Sequence, residues 1–445
     1  MQKRIEQFIA NPKKALWKLS LPIIIGMLVQ VLYNIVDTAF VGRLGAEAIA
    51  ALTFSWPLFF VLISLNGGLG AGMNSRLSRY LGEKNIPQAE NTATHGMVLS
   101  LVVGFIIFVL GMIFLKPLLV VFGASDYVLK YALDYMRIIL VAGLFMYPSY
   151  IMYYIFAAQG DTKTPMKVQI IALVVNMILD PIFIYFLGLG VKGAAYATMI
   201  SFLLSLIIYI YLFKKRSHIK INIKTFKFSW RITKEILAVG LPATIMMLLM
   251  SVYFIFINRL MASFDVETVA AFGIVARLDS VAVMPVVGLS AALITLVAMF
   301  YGAKRYDLLR SIVWYAIRVM IIFSIIIGFI FFVFPQLFLM IFTKDKNLIN
   351  LGSQYLRIQL FTYPFMVIAM IIGRTMQGLG LGLPGLIINS LRMILIAVPL
   401  AYVFVLIFNF SYLSIAVASV IAAVIAAIVA IIWIEIKLKK LKLLI

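Results

Sequence analysis

The stretch VLYNIVDTAFVG, Val31 to Gly42, lies inside an apolar run that extends from about Leu16 to Val41. A helix needs about 20 apolar residues to cross a bilayer, so the run predicts a membrane-spanning helix. Within it lies a carboxylate, Asp37, with Asn34 and Gln30 one and two turns earlier on the same face. A charge at membrane depth costs at least ~2.5 kcal/mol on insertion scales, so it normally faces a protein interior or a watery cavity.

The composition extends this interpretation to the whole chain. The 445 residues are 64% hydrophobic and only 12% charged, which is not the composition of a soluble domain. The apolar runs are continuous rather than alternating, which excludes a β-barrel. A net charge of +22 would suggest nucleic acid for a soluble protein, but basic cytoplasmic loops explain it here and we expect no nucleic-acid partner. Without cysteine, disulfides and Cys-bound metals are excluded.

The apolar runs predict an all-α polytopic protein with twelve transmembrane helices in two pseudo-symmetric six-helix lobes. The predicted helices cover about residues 16–41, 47–80, 92–115, 128–158, 166–187, 193–213, 235–261, 267–300, 309–333, 349–377, 385–408 and 412–436. The domains that follow are an N-terminal lobe over 1–213, a cytoplasmic basic linker over 214–234 and a C-terminal lobe over 235–445.

The distribution of basic residues predicts the orientation. With the N-terminus inside, 25 of the 38 Lys and Arg residues fall in inner segments and seven in outer loops. The positive-inside rule then places both termini and the linker in the cytoplasm of a multi-pass plasma-membrane protein. The basic N-terminus, residues 1–20, lacks a small-residue cleavage site and is interpreted as an amphipathic lead-in. The two histidines, His95 and His218, fall near the inner surface, and we expect both to be solvated.

The two halves repeat. LSLP at 19–22 returns as VGLP at 239–242, and YMRI at 135–138 returns as YLRI at 355–358, each at an offset of 220 residues. Six helices per half is an even number, so both copies insert the same way up. This predicts a two-fold axis along the membrane normal with a cavity between the lobes, which is the architecture of a transporter.

A second group of intramembrane polar residues follows in the first half. Asn176 and Asp180 are four residues apart on one helix face. Pro181 cannot donate a backbone hydrogen bond and is expected to kink the helix, freeing a carbonyl beside Asp180. Thr198 adds a hydroxyl from the next helix.

The repeat provides an internal control for these residues. The second half has lost all three of the corresponding polar groups: Asp37 maps to Ile257, Asn176 to Ile394 and Asp180 to Val398. Residues needed only for packing should appear in both copies, so the asymmetry favours a site specific to the first lobe. The alternative is that each Asp caps a helix or pairs with an intramembrane arginine such as Arg137.

The chemistry of this set suits a small cation. Asp37, Asp180, Asn176 and Thr198 offer only oxygen ligands, which sodium prefers. The same pair of carboxyl groups could instead hold a proton, because two close carboxylates in a low dielectric disfavour double ionisation. The residues leave Na⁺ and H⁺ open as the coupling ion, and no other cofactor is expected.

Other residues are candidates for lining a substrate cavity. They are Gln30, Tyr33, Asn34, Tyr150, Tyr153, Met247, Arg277 and Asp279. Arg277 and Asp279 are two apart and do not face each other on a helix. We therefore expect Asp279 to interact with Arg374 or Arg392, which holds the lobe together, or else to line the cavity.

The quoted motifs resemble the multidrug and toxic compound extrusion (MATE) family. The resemblance rests on the doubled six-helix unit, QVLYNIVDTAFVG at 30–42, NMILDPIFIY at 176–185 and AYATMIS at 195–201. ARLDS at 276–280 is similar to the family's second-lobe pattern. The combination points to the archaeal, DinF-like branch.

The resemblance implies a V-shaped antiporter that exports amphiphilic, often cationic, organic compounds against inward sodium or proton flow. It also implies that Asp37, Asn176, Asp180 and Thr198 form the cation site. The expected partners are small amphiphilic molecules and the lipid bilayer, and the expected state is a monomer. Apart from Glu235 at its first residue, helix seven bears no acid, and helix ten carries Arg374, which departs from the other large branch and argues against a second-lobe cation site.

Three alternatives to a MATE-like antiporter remain to be compared with the sequence. A lipid or lipid-linked oligosaccharide flippase would need cationic groups for phosphate, and Arg277, Arg374 and Arg392 keep that interpretation open. A membrane enzyme such as a prenyl- or acyltransferase is disfavoured, because the chain has no DD pair, no acyltransferase-like His and no Cys. A major-facilitator transporter is disfavoured because the second loop lacks that family's signature.

Overall fold

The computed structural model describes residues 2–124, 126–221 and 226–442, except for the side chains of residues 34, 38, 39, 126 and 442. Throughout these ranges the regular structure is helical, and twelve helical segments are long and apolar enough to cross a membrane. The predicted all-α fold with twelve spans is therefore confirmed.

The chain divides into two compact units. The first comprises Met1–Glu6 and Lys18–Thr244, and the second comprises Gln7–Trp17 and Ile245–Ile445. The division falls inside the seventh span, ten residues after the end of the linker predicted at 214–234.

The first unit is built around one central helix. Its helices are α1 (Gln2–Ala10), α2 (Pro12–Gly42), α3 (Ala46–Gly82), α4 (Ile86–Val121), α5 (Asp126–Ala158), α6 (Lys163–Pro181), α7 (Val191–Arg216) and the beginning of α8 (Trp230–Met261). The central helix is α5, which packs against α3, α4 and α7. Its fully buried Tyr147 donates a hydrogen bond to the carbonyl of Leu62 in α3, at 3.1 Å.

The second unit repeats this plan. Its helices are the rest of α8, then α9 (Val266–Gly302), α10 (Tyr306–Val333), α11 (Pro335–Leu339), α12 (Lys346–Gln359), α13 (Tyr363–Gly378), α14 (Gly382–Ser390), α15 (Val398–Tyr402) and α16 (Leu413–Lys442). A 3₁₀ turn at Leu360–Thr362 divides the tenth span, just before Pro364, which cannot donate a backbone hydrogen bond. The short α11 was not predicted from the sequence.

The internal repeat is visible in the backbone. Helices α3 and α9 are both 37 residues long and begin 220 positions apart. Each is followed by a lysine in the left-handed region, Lys84 and Lys304, both with φ of 57°. A side chain rarely adopts this conformation, so its recurrence at the same repeat position reflects a shared turn geometry.

Pro181 changes the helix without ending it. Helix α6 continues past Pro181 into a π turn at Ile182–Phe186, where hydrogen bonds span five residues instead of four. The missing proline N–H explains why the regular ladder does not continue here. Similar π turns follow in the repeat copy, at Leu391–Ala397 and Val403–Ile407. Such turns are frequent at functional sites.

Candidate cation site

Helices α2, α6 and α7 bring four predicted residues together in the first unit. Asp180 and Asn176 are almost fully buried, at 0% and 2% exposed, and Asp37 and Thr198 are partly buried. The Nδ2 of Asn176 donates a hydrogen bond to Oδ1 of Asp180, at 3.3 Å. This contact follows from the four-residue spacing, which places both side chains on one face of α6.

The two carboxyl groups adjoin each other. Asp37 and Asp180 lie within hydrogen-bonding reach. The second carboxylate oxygen of Asp180, Oδ2, is buried, and no donor of the described residues reaches it. Two adjacent carboxylates in a site largely shielded from water repel each other, and an unsatisfied buried acceptor is costly. The arrangement therefore suits a proton or a cation between them.

Two tyrosines complete the cluster. The hydroxyl group of Tyr33 lies near that of Thr198, and Thr198 Oγ1 donates to the carbonyl of Ala194 at 3.0 Å. Tyr33 and Tyr135 both lie near enough to interact electrostatically with both carboxyl groups. Sequence reasoning missed Tyr135. The signal that could have found it is its recurrence as Tyr355 in the repeated YMRI/YLRI motif.

The ligands available to a cation are few and hard. In the parts of the chain that the structure describes, no group of three or more His, Cys, Asp or Glu side chains could hold a metal ion. A cation here would be held by two carboxylates and neutral amide and hydroxyl oxygens. That set suits a hard cation such as sodium, because such cations prefer oxygen ligands.

The ion-pair alternative does not match the contacts around the two acids. Neither Asp37 nor Asp180 forms an ion pair with any described basic residue. Arg137 is exposed. Both acids also lie toward the C-terminal ends of α2 and α6, whereas a capping carboxylate belongs at an N-terminus.

The first-unit cavity candidates have separate contacts. Gln30 accepts a hydrogen bond from Gln169 Nε2 at 3.3 Å. Tyr150 and Tyr153 are partly buried, with ring centroids 6.4 Å apart. The side chain of Asn34 lies outside the described part of the structure, so its predicted place on the Asp37 face stays a prediction.

In the second unit, Asp279 has a different partner from the one expected. Its carboxylate accepts a hydrogen bond from the Tyr363 hydroxyl, and the side-chain amide of Gln359 lies beside it. The expected ion pair with Arg374 or Arg392 is wrong, because no described basic side chain lies within ion-pair distance of Asp279. Tyrosine and amide donors take that place.

The sequence also singles out Arg374, Arg277 and Met247 in the second unit. Arg374 Nη1 donates a hydrogen bond to Gln377 Oε1 at 3.0 Å. Arg277 is exposed, and Met247 on α8 is partly buried. Their predicted cavity-lining role stays a prediction.

The expectation of two solvated histidines is wrong for His95. Only 1% of its surface is exposed, and residues of the basic linker cover it. His218 is exposed, although partial desolvation and Arg4 lower its pKa. The contact at His95 could not be predicted from the sequence, because the covering residues lie more than 130 positions later.

Comparison with known families reproduces the internal repeat. The profile of the MatE family matches the chain twice, over residues 22–182 and again over 242–403. The starts of the two matches are 220 residues apart, the offset at which the sequence motifs recur.

Individual relatives cover most of the chain. A protein of Shewanella oneidensis named "FAD transporter" is 28% identical over 396 residues, covering 87% of each chain. "Probable multidrug resistance protein YoeA" of Bacillus subtilis is 29% identical over 391 residues, covering 86% of this chain and 84% of its own. A solved structure titled as an outward-facing multidrug resistance MATE family transporter superposes with a TM-score of 0.92, at 31% identity and 97% coverage of both chains.

Proposed function

This chain belongs to the MatE family of membrane transporters, and from that premise we propose that it is a Na⁺- or H⁺-coupled antiporter that exports amphiphilic, cationic organic compounds. The observation that carries the proposal is the contact between Asp37 and Asp180, with Oδ2 of Asp180 buried and without a donor. A transporter of this family acts on small molecules in a membrane and is not an enzyme.

The carboxyl pair supplies a reason for coupling. When no cation is bound, two neighbouring negative charges in a dry site repel each other and attract an organic cation. When a sodium ion or a proton enters, the pair loses half of its negative charge and its attraction for cargo falls. Cation and cargo therefore compete for the same charge, which is the basis of exchange.

The driving force is adequate for export. One positive charge that moves inward across 100 mV releases ~2.3 kcal/mol. A tenfold cation gradient adds about 1.4 kcal/mol. Together these terms support a cargo gradient of a few hundredfold for a neutral cargo, and a smaller one for a cation that moves outward against the same potential.

The experiment is dye export in proteoliposomes. Ethidium transport is measured with a sodium gradient at constant pH, and separately with a pH gradient in sodium-free buffer. We expect one gradient to drive transport in the unmodified protein. Asp37→Asn and Asp180→Asn should each reduce the gradient-driven rate at least tenfold, because a single remaining carboxylate has no neighbouring charge whose repulsion a bound cation relieves.

Asp134→Asn is the matched control. Asp134 is also a first-unit carboxylate on a spanning helix, but it forms an ion pair with Lys192 at 3.2 Å and lies outside the cluster. Its dye transport should stay near that of the unmodified protein. Unchanged gradient-driven transport in Asp37→Asn would refute the proposed role of the pair.

A second candidate function is export or flipping of a phosphate-bearing molecule. The Shewanella relative is named for FAD, and the spans of the second unit carry Arg277, Arg374 and Arg392. A diphosphate would be recognised by such guanidinium groups. In the same vesicles, transport of FAD or of a headgroup-labelled lipid in place of ethidium would favour this candidate, and transport of ethidium alone would reject it.

A further inference from the structure

The basic linker is docked on a buried histidine of the first unit. His95 of α4 packs against the rings of Phe226 and Phe228, whose centroids are 4.7 and 5.8 Å from that of the imidazole. The backbone N–H of Ser229 donates a hydrogen bond to Nε2 of His95, at 2.7 Å. The other ring nitrogen, Nδ1, lies 2.8 Å from the carbonyl oxygen of Asn91.

These two contacts require a neutral ring. The Asn91 carbonyl can only accept, so Nδ1 carries the hydrogen. The Ser229 amide can only donate, so Nε2 must present its lone pair. A second proton would turn Nε2 into a donor that faces another donor. The contact would then be repulsive, and the ring would carry a charge at a position that is 1% exposed.

No neighbouring charge would compensate for that proton. None of the described carboxylates forms an ion pair with His95. The groups around the ring are the Asn91 carbonyl on its own helix, and two aromatic rings and an amide on the linker. Glu90, five residues earlier on α4, accepts a hydrogen bond from the backbone N–H of Lys220, at 2.9 Å.

The docked segment leads directly into a transmembrane helix. Helix α8 begins at Trp230, the residue after Ser229. One turn later, Glu235 forms an ion pair with the buried Arg76 of α3, at 2.6 Å. The contact at His95 and this ion pair together fix the beginning of α8, which continues from the first unit into the second at Thr244.

We propose that His95 is a proton-binding site that latches the linker to the first unit: the neutral ring holds residues 226–229 in place, and its protonation releases them. Acidification on the side that holds the basic linker would free the beginning of α8. Because the buried contacts oppose a charged ring, release belongs to acid stress, below the pH near 6.5 at which an unperturbed imidazole titrates. The latch is independent of the carboxyl pair and of the cargo.

The test uses a nitroxide label on the linker. Because the chain contains no cysteine, the substitution Lys227→Cys at an exposed position provides one site for the label. Its mobility is measured by EPR from pH 8 to pH 5 in the full-length protein in nanodiscs. We expect an immobile label at pH 8 and a mainly mobile one at pH 5, with a transition that fits one proton.

Three variants assign the transition. His95→Gln should hold the label immobile at every pH, because an amide oxygen can accept the Ser229 N–H and does not titrate. His95→Ala should leave it mobile at every pH, because the acceptor is gone. His218→Gln removes the only other histidine and should leave the transition unchanged.

Four results would overturn the proposal that protonation of His95 releases the linker. A label mobility that does not change with pH in the unmodified protein would overturn the proposal. So would a transition that persists in His95→Gln, or one that disappears in His218→Gln. An immobile label in correctly folded His95→Ala, as judged by a monodisperse size-exclusion peak, would also overturn it. Since His95→Gln preserves the hydrogen bond, it keeps the test decisive should His95→Ala not fold.

Discussion

At the scale of single residues, the adjoining carboxyl groups of Asp37 and Asp180 make the protein's stability depend on what lies between them. Their mutual repulsion destabilises the fold when both are ionised, and a bound cation or a shared proton relieves it. A ligand that binds only the folded state stabilises it by about 2.7 kcal/mol at one hundred times its dissociation constant. The identity of the coupling ion is therefore measurable without any transport assay.

We predict that Asp180→Asn raises the melting temperature in sodium-free buffer at pH 8, by the equivalent of about 1–3 kcal/mol. An asparagine still accepts the hydrogen bond from Asn176 Nδ2, so the neighbouring contact survives. Scanning fluorimetry in detergent measures the shift.

The unmodified protein provides the contrast. It should be stabilised either by sodium, if sodium is the coupling ion, or by lower pH, if the ion is a proton, and the variant should lose that response. Equal responses of the two proteins to both sodium and pH would contradict the prediction. Asp134→Asn should respond as the unmodified protein does, because its carboxylate is paired with Lys192.

Two tyrosines of the second unit allow a matched comparison. Tyr363 donates to the Asp279 carboxylate, whereas the buried hydroxyl of Tyr355 has no partner among the described residues. Removing a donor from a buried carboxylate costs about 1–3 kcal/mol, while removing an unpaired hydroxyl is neutral or favourable. We therefore predict that Tyr363→Phe lowers the melting temperature and that Tyr355→Phe keeps or raises it. A larger loss in Tyr355→Phe than in Tyr363→Phe would contradict the hydrogen-bond assignment.

The sequence predicts local contacts among these residues better than distant ones. The Asn176–Asp180 contact depends on a four-residue spacing within one helix and could be expected from the sequence alone. Tyr135 contributes to the same cluster from a different helix, α5. The expected Asp279–arginine pair failed for a related reason, because charge complementarity does not reveal that a tyrosine hydroxyl already occupies the position.

At the scale of secondary structure elements, helices α3 and α8 cross at backbone distance within the first unit. A Cβ atom at Gly72 would lie 2.1 Å from the carbonyl oxygen of Ile236, and one at Gly68 would lie 2.5 Å from that of Gly240. Small residues spaced by four allow such an approach between membrane helices. The crossing holds the beginning of α8 beside the Arg76–Glu235 ion pair.

We predict that Gly72→Ala destabilises the protein by at least about 1–3 kcal/mol, because its methyl group meets backbone, which cannot rotate away. Gly143→Ala is the control: it lies inside α5, and nothing is within 4 Å of its added Cβ. An alanine there should stabilise the helix by up to about 1 kcal/mol. Melting temperatures in detergent measure both, and a harmless Gly72→Ala would show that the two helices are not held this closely.

Element lengths and types follow from the sequence because apolar runs and prolines act locally. The twelve spans, and the irregular turn beside Pro181, are of this kind. Docking of the linker on α4 could not be predicted from local sequence, because it joins His95 to Ser229 across 134 residues. A basic, polar stretch looks like a solvated loop, and only the fold shows that two of its phenylalanines cover a buried imidazole.

At the scale of the whole molecule, the helical scaffold is duplicated but the cluster of polar residues is not. The family profile matches each half once, which agrees with the doubled backbone geometry of α3 and α9. The polar cluster of Asp37, Asn176 and Asp180 is not doubled: the fully buried Ile257 stands in the place of Asp37. A duplicated scaffold with one polar cluster concentrates the proposed cation chemistry in the first unit.

The excess of basic residues on one side predicts the orientation, with the linker in the cytoplasm. Because the chain has no cysteine, single cysteines can report it. Lys220→Cys lies in the linker, Lys344→Cys lies between α11 and α12, and both positions are exposed. A membrane-impermeant maleimide added to intact cells should label Lys344→Cys and leave Lys220→Cys unlabelled, and permeabilised cells should show both. Labelling of Lys220→Cys in intact cells would reverse the predicted topology, and it would place the proton latch at His95 on the outer side, where it would report external rather than cytoplasmic acidity.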